Sequence, residues 1–230
     1  MLAAEICLSA CSKCLFTICC VFIIITTLSR LAIRNPTLPL SELAAEVANC
    51  TLCPLHKTRR NTVFSRGNPQ AKLMLIGEAP GFHEDQQGQP FVGRAGILLQ
   101  QMMASVGMDD QHFYIANVLK CRPPNNRDPR VEEINQCRGY LSQQIDLVQP
   151  GLILALGRFA GQFLYGQSMA LKDLRGTVHD YLGIPFMVSY HPAYLLRNPR
   201  DKKKSYTDLV TAKHWLQERN YLPPEASASE

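Results

Sequence analysis

Glu78 stands where a run of apolar residues, "AKLMLIG", stops. The segment after it, "EAPGFHEDQQGQPFVGRAG", adds two more carboxylates, Glu84 and Asp85, and a lone aromatic, Phe91, among turn residues. A carboxylate ending a core strand either caps the next helix or holds a water against an electrophilic carbon. Glu84 and Asp85 read as exposed loop charges or as neighbours of the same pocket. Phe91 is a core ring or a platform for a flat ligand. Asn117 closes a second apolar run, "HFYIANV". A buried amide costs free energy unless both of its ends are satisfied, so Asn117 bridges backbone groups or reads a ring edge presenting N–H beside C=O. His191, in "YHPAYLLRNP", is a structural histidine or a partner for the same ring. Leu195 and Leu196 next to Arg197 are out of place on a surface unless they enter something apolar, such as a stack of bases. The loop after Gly77 matches neither the G-x-G-x-x-G dinucleotide pattern nor a P-loop.

Nine cysteines divide into Cys7, Cys11, Cys14, Cys19 and Cys20 near the start and Cys50, Cys53, Cys121 and Cys137 in the body. An odd total without a regular framework argues against a secreted, disulfide-stapled fold. Cys50 and Cys53 form a C-x-x-C pair in a turn, Cys121 sits in a proline-rich loop, and Cys137 lies in the helix that follows. A zinc ribbon supplies two tight knuckles, and here the second is missing. A cubane iron–sulfur cluster accepts scattered thiolates. Cluster, zinc and unliganded buried cysteines stand as the three readings, and a ligand set requires the reducing conditions of the cytoplasm.

The net charge of +5 suits a polyanionic partner without demanding one. Locally, "RNPRDKKK" sets Arg197, Arg200, Lys202, Lys203 and Lys204 against a single aspartate. It is a solvated charged loop or a phosphate-binding face.

The elements that must position these residues follow from periodicity. "AKLMLIG", "HFYIANV", "GLILALG" and "IPFMVSYHP" read as four strands, their continuous apolar runs expected of strands covered on both faces. Helices alternate with them. One opens after Ser41 as N-cap, one ends at Gly107, one starts with Asp128 as cap and Pro129 in its first turn, one runs from Arg158 to Tyr165, and "SYTDLVTAKHWLQERN" closes the body. The expectation is an α/β fold, a three-layer α/β/α sandwich around a central, mainly parallel four-stranded sheet. Right-handed crossovers then bring Glu78, Asn117, Gly157 and His191 to one edge, where open α/β sheets bind ligands.

Domain grammar begins near Leu40. Residues 1–38 are expected to be a hydrophobic extension and linker, 39–222 the functional body, and 223–230 a disordered tail. Within the extension, residues 14–29, "CLFTICCVFIIITTLS", carry no charge but are shorter than the roughly 20 residues of a spanning helix. A short membrane anchor, a helix against a partner, and a segment upstream of the true start are the alternatives, the last preferred.

Taken together, "GEAPG", "GQPFVGRAG", "NVLKCRPPNNRDP", "ALG", "HPAYLLR" and the four body cysteines in order resemble the iron–sulfur uracil-DNA glycosylases, the family-4 branch of that superfamily. The resemblance covers about Leu40 to Asn220. It implies removal of uracil flipped out of single- or double-stranded DNA, leaving an abasic site and initiating base excision repair, by a monomeric, nucleoid-associated protein. By position it implies that Cys50, Cys53, Cys121 and Cys137 hold a structural [4Fe–4S] cluster. Phe91 corresponds to the stacking residue, Asn117 to the reader of the polar edge, and His191 to the histidine facing uracil O2. Glu78 and the Ala79 backbone line the pocket, with Glu84, Asp85 and Asn126 nearby. Tyr194, Leu195, Leu196 and Arg197 form the loop entering the minor groove, and Lys202, Lys203 and Lys204 extend the DNA contact. The best-known uracil glycosylases of the wider superfamily carry an aspartate and a tyrosine in the first motif, where this chain has Ala79 and Gly81. Two rival readings keep part of the pattern: a non-enzymatic iron–sulfur nucleic-acid-binding accessory protein, and a hydrolase of free nucleosides using Glu78 and Glu84 as an acid/base pair.

Overall fold

Strands buried on both faces need apolar residues along their length, and the computed structural model, which describes residues 39–223, places them so, with polar Asn117 and Ser189 only at strand ends. Strands β2 (Leu73–Gly77), β3 (Phe113–Asn117) and β4 (Leu152–Leu156) are buried throughout, and the second half of β6 (Ile184–Ser189) joins them. They pair in parallel in the order β3-β2-β4-β6. The sheet has six strands rather than the expected four, because two short antiparallel strands close its edges. β1 (Arg66–Gly67) pairs with β3, and β5 (His179–Tyr181) forms a hairpin with β6. Edge strands of two and three residues carry too little apolar pattern to be read from sequence.

Alternation of side chains across the sheet produces the three layers. Leu73, Leu75, Phe113, Ile115, Leu152 and Leu154 face helices α3 (Arg94–Ser105) and α8 (Lys202–Glu218), packing with Leu99, Met103, Leu209 and Leu216. Met74, Ile76, Tyr114, Ile153 and Ala155 face the other way. They meet Leu141 and Ile145 of α4 (Val131–Val148) and Phe163 of α5 (Arg158–Tyr165). A third, smaller cluster joins Leu43 and Val47 of α1 (Leu40–Ala48) to Leu119, Cys121, Cys137 and Tyr140. The remaining helices are α2 (Phe82–Gln87), α6 (Leu171–Leu174) and α7 (Pro192–Arg197).

Several boundaries differ from the sequence expectation. α1 starts at Leu40 after Pro39, without a Ser41 cap. α4 starts at Val131, not after Asp128: the Glu133 carboxylate accepts from the Arg130 N–H at 2.9 Å, the return half of a capping box, two residues later than anticipated. Asp128 instead reaches Arg158 at 3.6 Å. Glu84 and Asp85 lie in α2, not in a loop. The basic run is a single turn, Pro199–Asp201, followed by the first turn of α8, so Lys202 to Lys204 are helical.

Among the described residues no helix is long and apolar enough to cross a membrane. Residues 14–29, read as an anchor, a docking helix or an upstream segment, lie outside the described residues, as does the tail after Pro223.

Candidate active site

Strand order reverses between β2 and β4, since β3 lies on one side of β2 while β4 and β6 lie on the other. A sheet opens a crevice at such a switch point, beyond the carboxyl ends of its strands. A cleft of about 590 Å³ lies there, lined by Glu78, Asn117, Gly157 and His191 from four separate segments, together with Phe91.

Phe91 is held in a left-handed backbone conformation, φ +55°. A phenylalanine keeps that strained geometry only when its surroundings impose it. Two contacts do so. Gly96 of α3 lies so close that a Cβ there would sit 1.8 Å from the Phe91 carbonyl oxygen. The Glu84 carboxylate accepts from the Val92 and Gly93 N–H groups at 3.0 and 2.8 Å, pinning the loop just past the ring. Glu84 is therefore committed to backbone donors and is not free to pair with Glu78 as an acid/base couple. The Phe91 ring packs 5.7 Å from the His191 ring, tilted by 32°. It also packs over Gly77, where a Cβ would meet its Cζ at 2.6 Å and Asn117 Oδ1 at 2.3 Å. Gly77 is the residue that lets ring and amide share the end of β2.

Asn117 is 2% exposed, and its Oδ1 has no hydrogen-bond partner among the described residues. The alternative in which this amide oxygen bridges backbone groups is thus not what the fold contains. A buried unpaired acceptor costs about 1–3 kcal/mol, a cost removed by a ligand that donates to it. Its main chain is fixed from below: the buried Lys120 ammonium donates to the Asn117 carbonyl at 2.7 Å and to the Gln144 side chain.

His191 caps α7, its Nδ1 accepting from the Ala193 N–H at 3.1 Å. That bond assigns the ring proton to Nε2. Burial, with Arg197 adding to it and Glu84 opposing, pulls the imidazole pKa down to about 4. At neutral pH the ring is an uncharged N–H donor. Gly157, at φ +94°, allows the β4–α5 turn to approach within 2.9 Å of the His191 Cβ, measured from where its own Cβ would be. Glu78 moves the other way: burial and the nearby Asp128 push its carboxyl up to about 7, against the pull of Arg158. A carboxyl and an imidazole displaced in opposite directions across one cleft is the pattern of a working site.

The other anticipated residues divide. Ala79 and Asn126 line the cleft, but the Asn126 Oδ1 is already taken by Arg122 Nε at 2.7 Å. Asp85 is not in the cleft. It is buried and accepts from the Arg60 and Asn61 N–H groups at 2.9 and 3.4 Å, tying the 59–63 loop to α2. Leu195 is fully buried and does not reach into anything outside the protein; only its neighbour Leu196, 37% exposed, is available. Tyr194 lines the cleft, stacks on Tyr190 at 5.1 Å and donates to Asp201 at 2.8 Å. Arg197 is exposed at the cleft mouth, and Lys202 and Lys203 are exposed beyond it, while Lys204 pairs with Asp201 at 2.8 Å. Sequence reasoning missed Lys120 and the close-approach glycines Gly77 and Gly96. A lysine beside a cysteine and glycines within ordinary elements give no local signal.

Behind β3, Cys50, Cys53, Cys121 and Cys137 line one pocket, and all four are free thiols. Burial raises the thiol pKa of Cys53 and Cys121, and pushes Cys137 up to about 11 against the pull of Lys120. Bare, these sulfurs hold their protons at neutral pH. Two cations stand ready to balance thiolates there. Arg59 approaches Cys121 Sγ at 3.4 Å while also holding the Cys50 carbonyl at 2.7 Å, and Lys120 lines the same pocket. The Lys120 N–H adds a bond to Cys137 Sγ at 3.3 Å. Among the described residues no three of these side chains close on a point where one metal ion would sit, so the pocket gathers four thiols and two cations without forming a single-ion site.

A mixed sheet with a parallel core carries this cleft at its switch point, and residues 64–214 match the model of the uracil DNA glycosylase superfamily, to which the chain belongs. Within that superfamily the likeness is to the type-4 branch. The chain is 41% identical over 177 residues to the type-4 uracil-DNA glycosylase of Archaeoglobus fulgidus, covering 74% of this chain and 89% of that protein. It is 41% identical over 182 residues to the type-4 enzyme of Thermotoga maritima, covering 77% of this chain and 95% of that protein. The type-5 uracil-DNA glycosylase of Pyrobaculum aerophilum is 29% identical over 184 residues, 65% of this chain and 80% of that protein.

Proposed function

We propose that this protein excises uracil from DNA by hydrolysing the N-glycosidic bond, leaving an abasic site. The observation that carries the reading is the unpaired Asn117 Oδ1, buried in a cleft whose other walls are an aromatic face and a neutral imidazole. Uracil offers the complement: an N3–H for Oδ1, an adjacent O4 for the amide N–H, and a flat ring for Phe91. Reaching it requires extrusion of the nucleotide, at a cost of a few kcal/mol.

Cleavage places negative charge on uracil O2 and oxocarbenium character on the sugar. The Nε2–H of His191 is the donor for that oxyanion, and such a preorganised donor contributes roughly 3 kcal/mol in comparable sites. Because the imidazole titrates near 4, it donates a hydrogen bond without delivering a full proton at neutral pH. Glu78, ionised above about pH 7, orients the attacking water or offsets the sugar's positive charge. Exposed Arg197, Lys202 and Lys203 meet phosphates.

Cys50, Cys53, Cys121 and Cys137 would hold a [4Fe–4S] cluster in this reading; a cubane accepts thiolates from separate segments, and it would tie the turn after α1, the helix α4 and the loop after β3 together. The protein acts as a monomer through the body at 39–222, in the cytoplasm. Uracil-containing single- and double-stranded oligonucleotides, incubated with the protein and then treated with alkali, test the proposal. Strand scission at uracil alone is expected; intact strands, or release of uracil from free deoxyuridine instead, overturn it.

A further inference from the structure

The cleft has two rims. One is α7, beyond β6. The other, on the β3 side, is built from the start of α2 and the loop after Cys121, and no role has been assigned to the side chains that crown it. Phe82, the first residue of α2, leaves half of its surface in water, 50% exposed. An isolated exposed ring needs no explanation, but this ring is held. The Arg122 guanidinium lies 5.1 Å over its centroid, and Arg122 Nε is anchored in turn on the Asn126 side chain at 2.7 Å. His83 sets its edge against the same ring at 5.4 Å. Both attachment points, Gly81 immediately before Phe82 and Asn126 beneath Arg122, are walls of the cleft.

From this geometry we propose that Phe82 and Arg122 form a second nucleobase-stacking element, which holds the nucleotide flanking the extruded uracil on its own strand. The inference rests on the glycosylase reading. A strand that places one nucleotide in the cleft must leave it on both sides. Because β3 and β6 lie on opposite sides of the β2–β4 centre, one flank passes α7 and the other passes Phe82. A half-exposed ring with a guanidinium over one face is a combination that takes up single-stranded nucleic acid irrespective of sequence: the ring's exposed surface stacks on a base and the cation meets its phosphate.

The test uses the full chain as purified and single-stranded oligonucleotides with one uracil. In two of the oligonucleotides the base on one side of the uracil, or on the other, is replaced by a reduced abasic residue. For the wild type, KM is expected to rise about ten-fold when the base on one particular side is missing. Phe82→Ala should raise KM for the intact oligonucleotide by a similar factor and show no further rise when that same base is removed, while Phe82→Tyr restores the wild-type pattern. Arg122→Ala should weaken binding on the same side and flatten its salt dependence. If Phe82→Ala keeps the wild-type KM, or stays as sensitive as wild type to the base on that side, the inference is overturned and the glycosylase reading stands. A wild type that releases no uracil from any oligonucleotide overturns both.

Discussion

Replacing Glu78 by glutamine separates the stability of the cleft from its chemistry. Burial and Asp128 hold the Glu78 carboxyl near 7, against an ordinary 4.5. A carboxyl whose folded pKa lies above its unfolded value favours the fold while it is protonated. That contribution is fully present below about pH 4.5 and is lost as the pH rises through 7. At pH 8 the folded protein carries a desolvated carboxylate that glutamine removes. The gap between the two pKa values corresponds to roughly 3 kcal/mol as an upper limit. The side chain is only half-buried and touches the solvent-filled cleft, so screening reduces the expected gain to about 1–2 kcal/mol. Urea unfolding of Glu78→Gln and wild type should therefore coincide at pH 4 and diverge at pH 8, the variant being more stable. Single-turnover uracil release should move oppositely, falling about 100-fold at pH 8 and losing the rise with pH expected of the wild type around 7. A variant less stable than wild type at pH 8, or one that keeps the wild-type pH profile, refutes both the desolvated carboxylate and its part in the reaction.

The remaining expectations concern single contacts. Asn117→Asp replaces an amide by a group that only accepts, so uracil release should drop by at least 100-fold on single-stranded substrate, measured with stopped time points; unchanged turnover removes Asn117 from the reading site. Gly77→Ala drives a methyl into the Phe91 ring and the Asn117 amide, and should lower both melting temperature and excision, whereas the same change at the open, helical Gly139 should leave excision alone and raise the melting temperature slightly. Cys121→Ala should abolish any visible absorption from a bound cluster and lower stability in thermal denaturation; a wild type that is colourless and holds no iron favours zinc or bare thiols. Duplex binding should weaken steeply with salt, and Lys202→Ala with Lys203→Ala should reduce the slope of log Kd against log salt by about 1 per residue lost.

The parallel core was legible because β2, β3 and β4 are covered on both faces, and such strands show as continuous apolar runs, broken in β3 only at its last residue. The same rule explains why β1 and β5 were not, since edge strands of two and three residues leave no such trace. The residue types of the cleft were legible as interruptions: Glu78, Asn117 and His191 each end a hydrophobic run, and polar groups at strand ends point to the ligand edge of an α/β sheet.

What the pattern could not separate were neighbours. Of two adjacent leucines in α7, one is buried and one is half out; of two adjacent acids in α2, Glu84 braces the Phe91 loop and Asp85 braces residues 60–61. Phe82 and Lys120 gave no sequence sign at all. The type, order and approximate ends of the main elements, with the residues able to do chemistry, were determined along the chain, because burial imprints a local period on sequence. The left-handed Phe91, the orphaned Asn117 oxygen, the tautomer of His191 and the meeting of four cysteines were decided only in three dimensions. Each depends on how closely two distant backbones approach, and that distance is set by tertiary packing rather than by any local run of residues.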